Sequence, residues 1–346
     1  WQNKRQKVEV SVLKKEKDSD RVLERAVFAL SAKEDITNKD GDVVLEAGTV
    51  IEEKATGEDG KLTFEADLPI GFSYTVKETS PAPGFATTDE VQEFIFTAES
   101  SDKATVSYEF TFEDEPTVFE FTKTSLTTGE EIEGAKLTVT DENGEVVDEW
   151  VSGKEPHIIK EMVVGQTYTM TELLPAPGYV TAESIRFTVE DTAEVQKIEM
   201  KDDVTKVEIS KTDIAGEELP GAKLTILDEN GEVVESWTST EEPHYIEMLP
   251  IGKYTLHEES APEGYLIAED VEFEVKDTGE IQKVTMKDEA EPEETPETPD
   301  TPATTVDAPK TGDHTPIAAL MISCGLGLAG VIAAAVWMKV RKKKRD

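Results

Sequence analysis

Residues 168–172 read Tyr168-Thr169-Met170-Thr171-Glu172, and Pro177-Gly178-Tyr179 follows them. Apolar and polar residues alternate along this run, which ends in Glu, and a Gly comes six residues after that Glu. Alternation that runs into Gly and Pro is typical of a β-strand followed by a turn. Related stretches occur at Tyr74-Thr75-Val76-Lys77-Glu78 with Pro83-Gly84-Phe85, and at Tyr254-Thr255-Leu256-His257-Glu258 with Gly264-Tyr265. The chain therefore contains three repeats of one unit.

A second repeated landmark sets the domain boundaries. It reads LERA at residues 23–26, IEGA at 132–135 and LPGA at 219–222, and each is followed by another alternating strand. A fixed period of this kind identifies a repeat architecture before single strands are assigned. We predict three domains, at residues 5–115, 116–203 and 204–289. The first is longer because Lys33 to Gly60 adds hairpin-like sequence.

Short β-rich runs separated by Gly, Asn and Asp turns make up each unit, and no sustained helical periodicity occurs upstream of residue 317. This pattern predicts an all-β fold of tandem antiparallel β-sandwiches. Two acidic segments, DENG at 141–144 and at 228–231, allow either calcium ligation or hairpin turns. Asn-Gly between strands favours the turn, and Asn38 to Asp42 is interpreted in the same way.

The charge argues against two kinds of binding partner, and the cysteine content excludes an internal disulfide. Of the 346 residues, 35 are Lys or Arg and 75 are Asp or Glu, which gives a formal net charge of −40. So acidic a chain argues against nucleic-acid or anionic-lipid binding by most of its length.

The only cysteine, Cys324, lies in an apolar stretch, so an internal disulfide is excluded. The first residues, from Trp1 onward, have neither an initiator Met nor an apolar signal core, and we expect a piece of a longer protein.

The last forty residues predict membrane topology. Residues 317–338 are uncharged and apolar over about the twenty residues that a membrane-spanning helix needs. The basic tail at 339–346 predicts a cytoplasmic C-terminus, which puts everything upstream outside the cell. Residues 290–307 are rich in Pro, Thr and Glu, a composition that predicts an extended linker without a core.

The motif at residues 308–312, APKTG, resembles the LPxTG sorting signal of sortase substrates, with Ala308 in the place of Leu. The resemblance implies that a sortase cysteine attacks the Thr311 carbonyl, releases Gly312 onward and passes the acyl group to a peptidoglycan amine. It also implies a Gram-positive cell surface as the location. An ordinary single-span membrane protein is the alternative, and Ala308 leaves the sortase class open.

Each unit opens with a strand that carries a Lys on its apolar face and closes with a strand that ends in Asp. Lys123 shares its face with Phe119 and Phe121, as Lys211 does with Val207 and Ile209, because alternate residues lie on one side of a strand. Parity selects Lys14 in the first unit, although the spacing to Leu23 also allows Lys15. The closing residues are Asp114, Asp202 and Asp288.

These units resemble collagen-adhesin B-type (CnaB, or SpaA-like pilin) domains, and their Tyr-x-x-x-Glu to Pro-x-Gly stretch resembles the pilin E-box. The resemblance covers about residues 5–289 and implies Ig-like or prealbumin-like sandwiches, each with a Lys–Asp isopeptide bond formed with the help of a buried Glu. Burial favours a neutral amine and a protonated carboxyl, which suits this chemistry. A snorkelling Lys and a solvated Glu are the alternative. The implied sets are Lys14, Glu78, Asp114; Lys123, Glu172, Asp202; and Lys211, Glu258, Asp288.

The leading hypothesis for function is a structural stalk of a wall-anchored adhesin or pilin-like surface protein, with sortase and peptidoglycan as partners. One alternative is a spacer for an enzyme domain upstream of residue 1, and another is direct binding of host matrix by the repeats. No cofactor or metal site is predicted, and catalysis on a substrate is not expected, since the histidines are dispersed. Two of them recur in Glu-Pro-His at equivalent positions, namely His157 and His244.

Overall fold

Strand Val118–Ser125 shows how the sequence builds the sheets. Phe119, Phe121 and Lys123 are buried, whereas the residues between them are only partly buried. One face of the strand therefore packs into a core and the other faces outward. The structure is a computed structural model, and it describes residues 6–100 and 103–292. The same alternation recurs in most of its strands.

The first domain has a three-stranded sheet, a four-stranded sheet and a small hairpin. The strands are β1 (Lys7–Glu16), β2 (Val27–Ala32), β3 (Ile36–Thr37), β4 (Val43–Leu45), β5 (Val50–Ala55), β6 (Lys61–Phe64), β7 (Ser73–Ser80), β8 (Val91–Ile95) and β9 (Thr105–Asp114). Their orders in the sheets are β6-β1-β9, β5-β2-β7-β8 and β3-β4. The β3-β4 hairpin lies within the predicted insertion at residues 33–60.

The second and third domains repeat the two sheets. In the second domain the strands are β10 (Val118–Ser125), β11 (Lys136–Thr140), β12 (Val146–Val151), β13 (His157–Lys160), β14 (Thr167–Leu174), β15 (Ile185–Thr188) and β16 (Val195–Asp202). In the third they are β17 (Lys206–Asp213), β18 (Lys223–Leu227), β19 (Val233–Thr238), β20 (His244–Glu247), β21 (Gly252–Ser260), β22 (Val271–Val275) and β23 (Ile281–Asp288). The sheet orders are β13-β10-β16 with β12-β11-β14-β15, and β20-β17-β23 with β19-β18-β21-β22.

Within the described residues the all-β prediction is confirmed, but the prediction of antiparallel sandwiches is wrong for one strand pair in each domain. The first strand runs parallel to the last, in β1–β9, β10–β16 and β17–β23. The last strand reaches this sheet from the other sheet of the sandwich, so it enters in the same direction as the first. Alternation of apolar and polar residues is the same in both directions, and it therefore does not encode this choice.

A separate hydrophobic core lies between the two sheets of each domain. The first core is aromatic, with the Phe28 and Phe112 rings 4.9 Å apart, and the second holds Phe119 and Phe121 against Phe187. The third is mainly aliphatic, with Val207, Ile209 and Leu256 among its buried residues. Different side chains thus fill the same sandwich three times.

Most of the predicted C-terminal features lie outside the described residues. These are the linker beyond residue 292, the motif at 308–312, the apolar segment at 317–338 and the basic tail at 339–346. Within residues 6–100 and 103–292, no helix is long and apolar enough to cross a membrane.

Candidate cross-linking sites

A buried lysine lies near the end of the first strand of each domain. Lys14, Lys123 and Lys211 are 0%, 2% and 1% exposed, which is rare for lysine. Each continues the apolar face of its strand, so its side chain enters the core between the sheets. A buried ammonium needs charged or polar partners to offset its lost hydration.

The first partner is the aspartate at the end of the last strand. In the parallel register Lys123 lies opposite Met200, so Asp202, two residues further on, shares the face of Met200 and points at the lysine. Lys123 Nζ donates a hydrogen bond to Asp202 Oδ1. The equivalent bonds join Lys14 to Asp114 and Lys211 to Asp288.

The second partner is a glutamate from the opposite sheet. Glu78 on β7, Glu172 on β14 and Glu258 on β21 are all buried. Their Oε1 atoms lie 3.0, 2.9 and 3.0 Å from the lysine Nζ of the same domain. The three residues of each set predicted from the sequence are therefore adjacent in all three domains.

A backbone amide fixes the other oxygen of each glutamate. Thr88 N–H donates to Glu78 Oε2 over 2.9 Å. Ala182 donates to Glu172, and Ala268 to Glu258, over 2.7 Å in each case. Sequence reasoning missed these amides because a main-chain donor has no residue-type signature. Their position ten residues after each Glu is the only signal in the sequence.

Burial shifts the acidities of the carboxyl groups. It raises the pKa of Glu78 to about 7, although the Lys14 ammonium opposes the shift. It likewise raises the pKa of Asp202 to about 7 against the effect of Lys123. Burial also raises the pKa values of Asp114 and Asp288. In the first two domains, the carboxyl pair therefore retains one proton up to about pH 7.

Two oxygens in each site have no hydrogen-bond partner within the described part of the chain. They are the aspartate Oδ2, which has no close donor, and the glutamate Oε1, whose contact with the lysine Nζ is an ion pair without hydrogen-bond geometry; both are buried. A buried carboxyl oxygen without a donor is costly. A proton on one of the two carboxyls reduces this cost, which agrees with the raised pKa values and gives the site an internal acid.

Lys14, and not its neighbour Lys15, faces the carboxyls of the first domain. Lys15 points to the opposite side of β1, where its side chain is 26% exposed and lies 3.5 Å from Asp20. Lys14 also lies 5.5 Å from the centroid of the Phe28 ring, an aromatic neighbour that stabilises a cation by its electron-rich face.

Each of the two recurring histidines stacks on a tryptophan and so contributes to packing. His157 stacks on Trp150 and His244 stacks on Trp237, each at a centroid distance of 4.3 Å. Carboxylates of Asp148 and Glu235 contact the two imidazoles. In the part of the chain that the structure describes, no cluster of three His, Cys, Asp or Glu side chains is arranged to hold a metal ion. His314 lies outside that part.

The acidic Asn-Gly segments form turns. Asp141 Oδ1 accepts hydrogen bonds from the backbone amides of Asn143 and Glu145, at 2.8 and 2.9 Å. Asp228 holds Asn230 and Glu232 in the same way. Asn38 Oδ1 accepts from Asp40 and Asp42. These oxygens fix the backbone of the turn, as the favoured interpretation of the sequence predicts.

Comparison with known proteins gives the family. The model of the SpaA prealbumin-like fold domain matches three times, at residues 8–111, 117–204 and 205–290. The chain belongs to this family. The SpaA-like, pilin-type resemblance stated from the sequence is thereby confirmed at the level of the domains. No curated protein sequence matches the chain.

Several solved structures resemble the SpaA-domain chain. The Bacillus anthracis TIE protein is 27% identical, with a TM-score of 0.43, and the match covers 81% of this chain and 50% of that protein. The present chain thus spans half of that relative's length. BcpA, the major pilin subunit of Bacillus cereus, is 15% identical over 83% of this chain and 100% of its own, with a TM-score of 0.36. A streptococcal ancillary pilin is 14% identical over 81% and 99%, with a TM-score of 0.29.

Proposed function

We propose that this chain is the structural stalk of a cell-wall-anchored, adhesin-like or pilin-like surface protein, and that each SpaA domain closes an isopeptide bond between its buried Lys and Asp. The observation that carries the proposal is the threefold recurrence of one buried Lys–Asp–Glu arrangement. Ordinary core packing does not require an ammonium and two carboxyls at the same place in every domain.

The chemistry follows from the three groups alone. The lysine ammonium passes a proton to the aspartate carboxylate, and the resulting amine attacks the aspartate Cγ. One N–C bond forms, one C–O bond breaks, and one water leaves. The protonated glutamate, held by its backbone amide, gives its proton to the departing oxygen and takes one from the nitrogen, so it ends as it began. The reaction occurs once in each domain and involves no redox change.

The bond suits a load-bearing role because it joins the first and last strands of a domain. The linked residues are separated by 100, 79 and 77 positions in the three domains. Closing loops of this size restricts the unfolded chain by about 4–5 kcal/mol in the chain-entropy model. This would supply covalent stabilisation to three domains that contain no cysteine.

Intact-mass spectrometry of the purified full chain tests the proposal. Each isopeptide bond expels one water, so we expect about 18 Da to be missing for each domain and about 54 Da in total. Digestion with a protease should yield three branched peptides, one for each Lys–Asp pair. A mass equal to that of the unmodified sequence would show that the bonds do not form.

The rate of bond formation should depend on pH. Since Glu78 and Asp202 have raised pKa values of about 7, their carboxyl pairs hold one proton below that pH and lose it above. The reactive form of neutral amine and two protonated carboxyls needs that proton. We expect the initial rates in the first two domains to fall about tenfold per pH unit well above pH 7. The measurement is the amount of each branched peptide against time after synthesis at pH 6 to 9, and rates that rise over this range would contradict it.

Anchoring is the second part of the proposal. Residues 308–312, the apolar segment at 317–338 and the basic tail at 339–346 occur in the order of a sortase signal, as the sequence predicts. A sortase would cleave between Thr311 and Gly312 and attach the chain to peptidoglycan outside a Gram-positive cell. Cell-wall digests should contain Thr311 joined to a wall peptide. Chains that end at Asp346 in the membrane fraction alone would contradict this part.

A further inference from the structure

The contacts between consecutive domains repeat as closely as the cross-linking sites. Gly84 O accepts a hydrogen bond from Thr117 N–H at 3.0 Å, and Gly178 O accepts one from Thr205 N–H at the same distance. Both threonines are fully buried. Their hydroxyls also donate to Met162 O and Leu249 O, at 2.7 and 2.6 Å, within the following domain. The Pro-Gly turn of one domain is thus held by the next.

An aspartate of the following domain binds the same turn. Asp191 Oδ1 accepts from Thr87 N–H at 2.8 Å, and its Oδ2 accepts from the Thr87 hydroxyl at 2.7 Å. At the second junction, Asp277 Oδ1 accepts from Thr181 N–H at 2.8 Å. Equivalent residues therefore make the amide contact at both junctions.

The bound threonine immediately precedes the residue that holds the catalytic glutamate of the proposed reaction. Thr87 N–H points to Asp191, and the next amide, that of Thr88, points to Glu78. At the second junction, Thr181 N–H points to Asp277 and Ala182 N–H points to Glu172. One short segment thus connects the carboxylate of one domain to the cross-linking site of the domain before it. The Asp191 charge also contributes to the raised pKa of Asp114.

We propose that Asp191 and Asp277 are positioning residues for isopeptide formation in the preceding domain. By fixing Thr87 and Thr181, they hold the following amide on Glu78 and Glu172 and so orient the glutamate that moves the proton. The inference rests on the proposed cross-linking reaction and adds to it that domains 1 and 2 depend on their successors.

The third domain provides an internal comparison. Ile267 stands where Thr87 and Thr181 stand, and it is 61% exposed. Ala268 N–H nevertheless donates to Glu258. We therefore expect bond formation in the third domain to need no such aspartate and to be insensitive to substitutions at either junction.

The test is a time course of bond formation in newly synthesised full chains, with each branched peptide quantified by mass spectrometry. Asp191→Ala should slow the Lys14–Asp114 bond about three- to tenfold, the range expected for loss of a charge-assisted hydrogen bond that positions a reacting group. Asp191→Asn retains an oxygen for the Thr87 amide and should restore the rate to within about twofold of the original. Asp277→Ala should slow the Lys123–Asp202 bond alone.

Internal controls separate positioning from misfolding. Asp191 belongs to the second domain, so damage to that domain would slow the Lys123–Asp202 bond as well. Glu190→Ala removes the neighbouring carboxylate and should leave all three rates unchanged. An unchanged Lys14–Asp114 rate in Asp191→Ala would overturn the inference, as would equal slowing by Asp191→Asn. Absence of every branched peptide in the unsubstituted chain would instead overturn the proposed function.

Discussion

Glu172→Ala is expected to abolish the isopeptide bond of the second domain and leave the other two intact. Glu172 Oε1 lies 2.9 Å from Lys123 Nζ, and Ala182 N–H holds its second oxygen. In the described part of the chain, the carboxyls that contact Lys123 Nζ are Glu172 and Asp202, and Asp202 is the group that reacts, so Glu172 is left to transfer the proton. Loss of a general acid–base group slows such steps about 10²- to 10⁴-fold. The full chain should therefore weigh about 18 Da more than the unsubstituted protein, apart from the mass of the substitution itself.

Two further variants make the Glu172 result specific. Glu172→Gln keeps the size and the hydrogen bond to Ala182 but does not exchange protons, so it should also lack the bond. Glu183→Ala removes an exposed glutamate of the same domain and should retain it. A Lys123–Asp202 peptide at full abundance in Glu172→Gln would show that the glutamate has no role in proton transfer.

Lys123→Met is expected to make the second domain extensible under force. Methionine keeps an unbranched side chain in the core but provides no amine. The 79 positions between Lys123 and Asp202 would then be free to extend, which adds about 260–280 Å at full extension. In the linked protein, tension entering β10 passes to Asp202 through the covalent bond and bypasses that loop. Single-molecule pulling on the full chain measures the difference.

The control for the pulling experiment is Lys154→Ala. Lys154 is exposed and lies 3.7 Å from Glu133, so its loss changes neither the core nor the proposed bond. We expect it to extend like the unsubstituted chain. An unsubstituted chain that releases the same length as Lys123→Met would rule out a load-bearing bond in this domain.

The sequence predicts most of the cross-linking sites because their residues lie in strands with strict alternation. Phe119 and Phe121 fix the face of Lys123, and the terminal Asp202 and Glu172 follow from the same rule. Spacing alone did not decide whether Lys14 or Lys15 is the cross-linking lysine. The pairing of β1 with β9 decides it, because Lys14 lies opposite the buried Phe112. Alternation of apolar and polar residues carries no information on strand direction. It therefore does not predict the parallel pairing of the first and last strands, which brings the aspartate and the lysine together.

The junctions between domains were not predictable in the same way. Thr87 and Asp191 are polar residues at the surface, and nothing in their spacing distinguishes them from ordinary loop residues. Their roles depend on a contact between two domains and on the direction of consecutive backbone amides. Repetition is the one trace they leave, since Thr181 and Asp277 stand at equivalent positions.

Because of the buried junction threonines, the contacts between domains depend on the order of the three domains. Thr117 and Thr205 begin the second and third domains, whereas Val8 stands at that position in the first. Thr87 and Thr181 follow the turns of the first two domains, whereas Ile267 follows the turn of the third. A rearranged chain that placed the third domain ahead of the first would join Ile267 to a domain without the threonine. The three units are therefore not interchangeable modules, because a new order loses the threonine contacts wherever it brings Ile267 or Val8 to a junction.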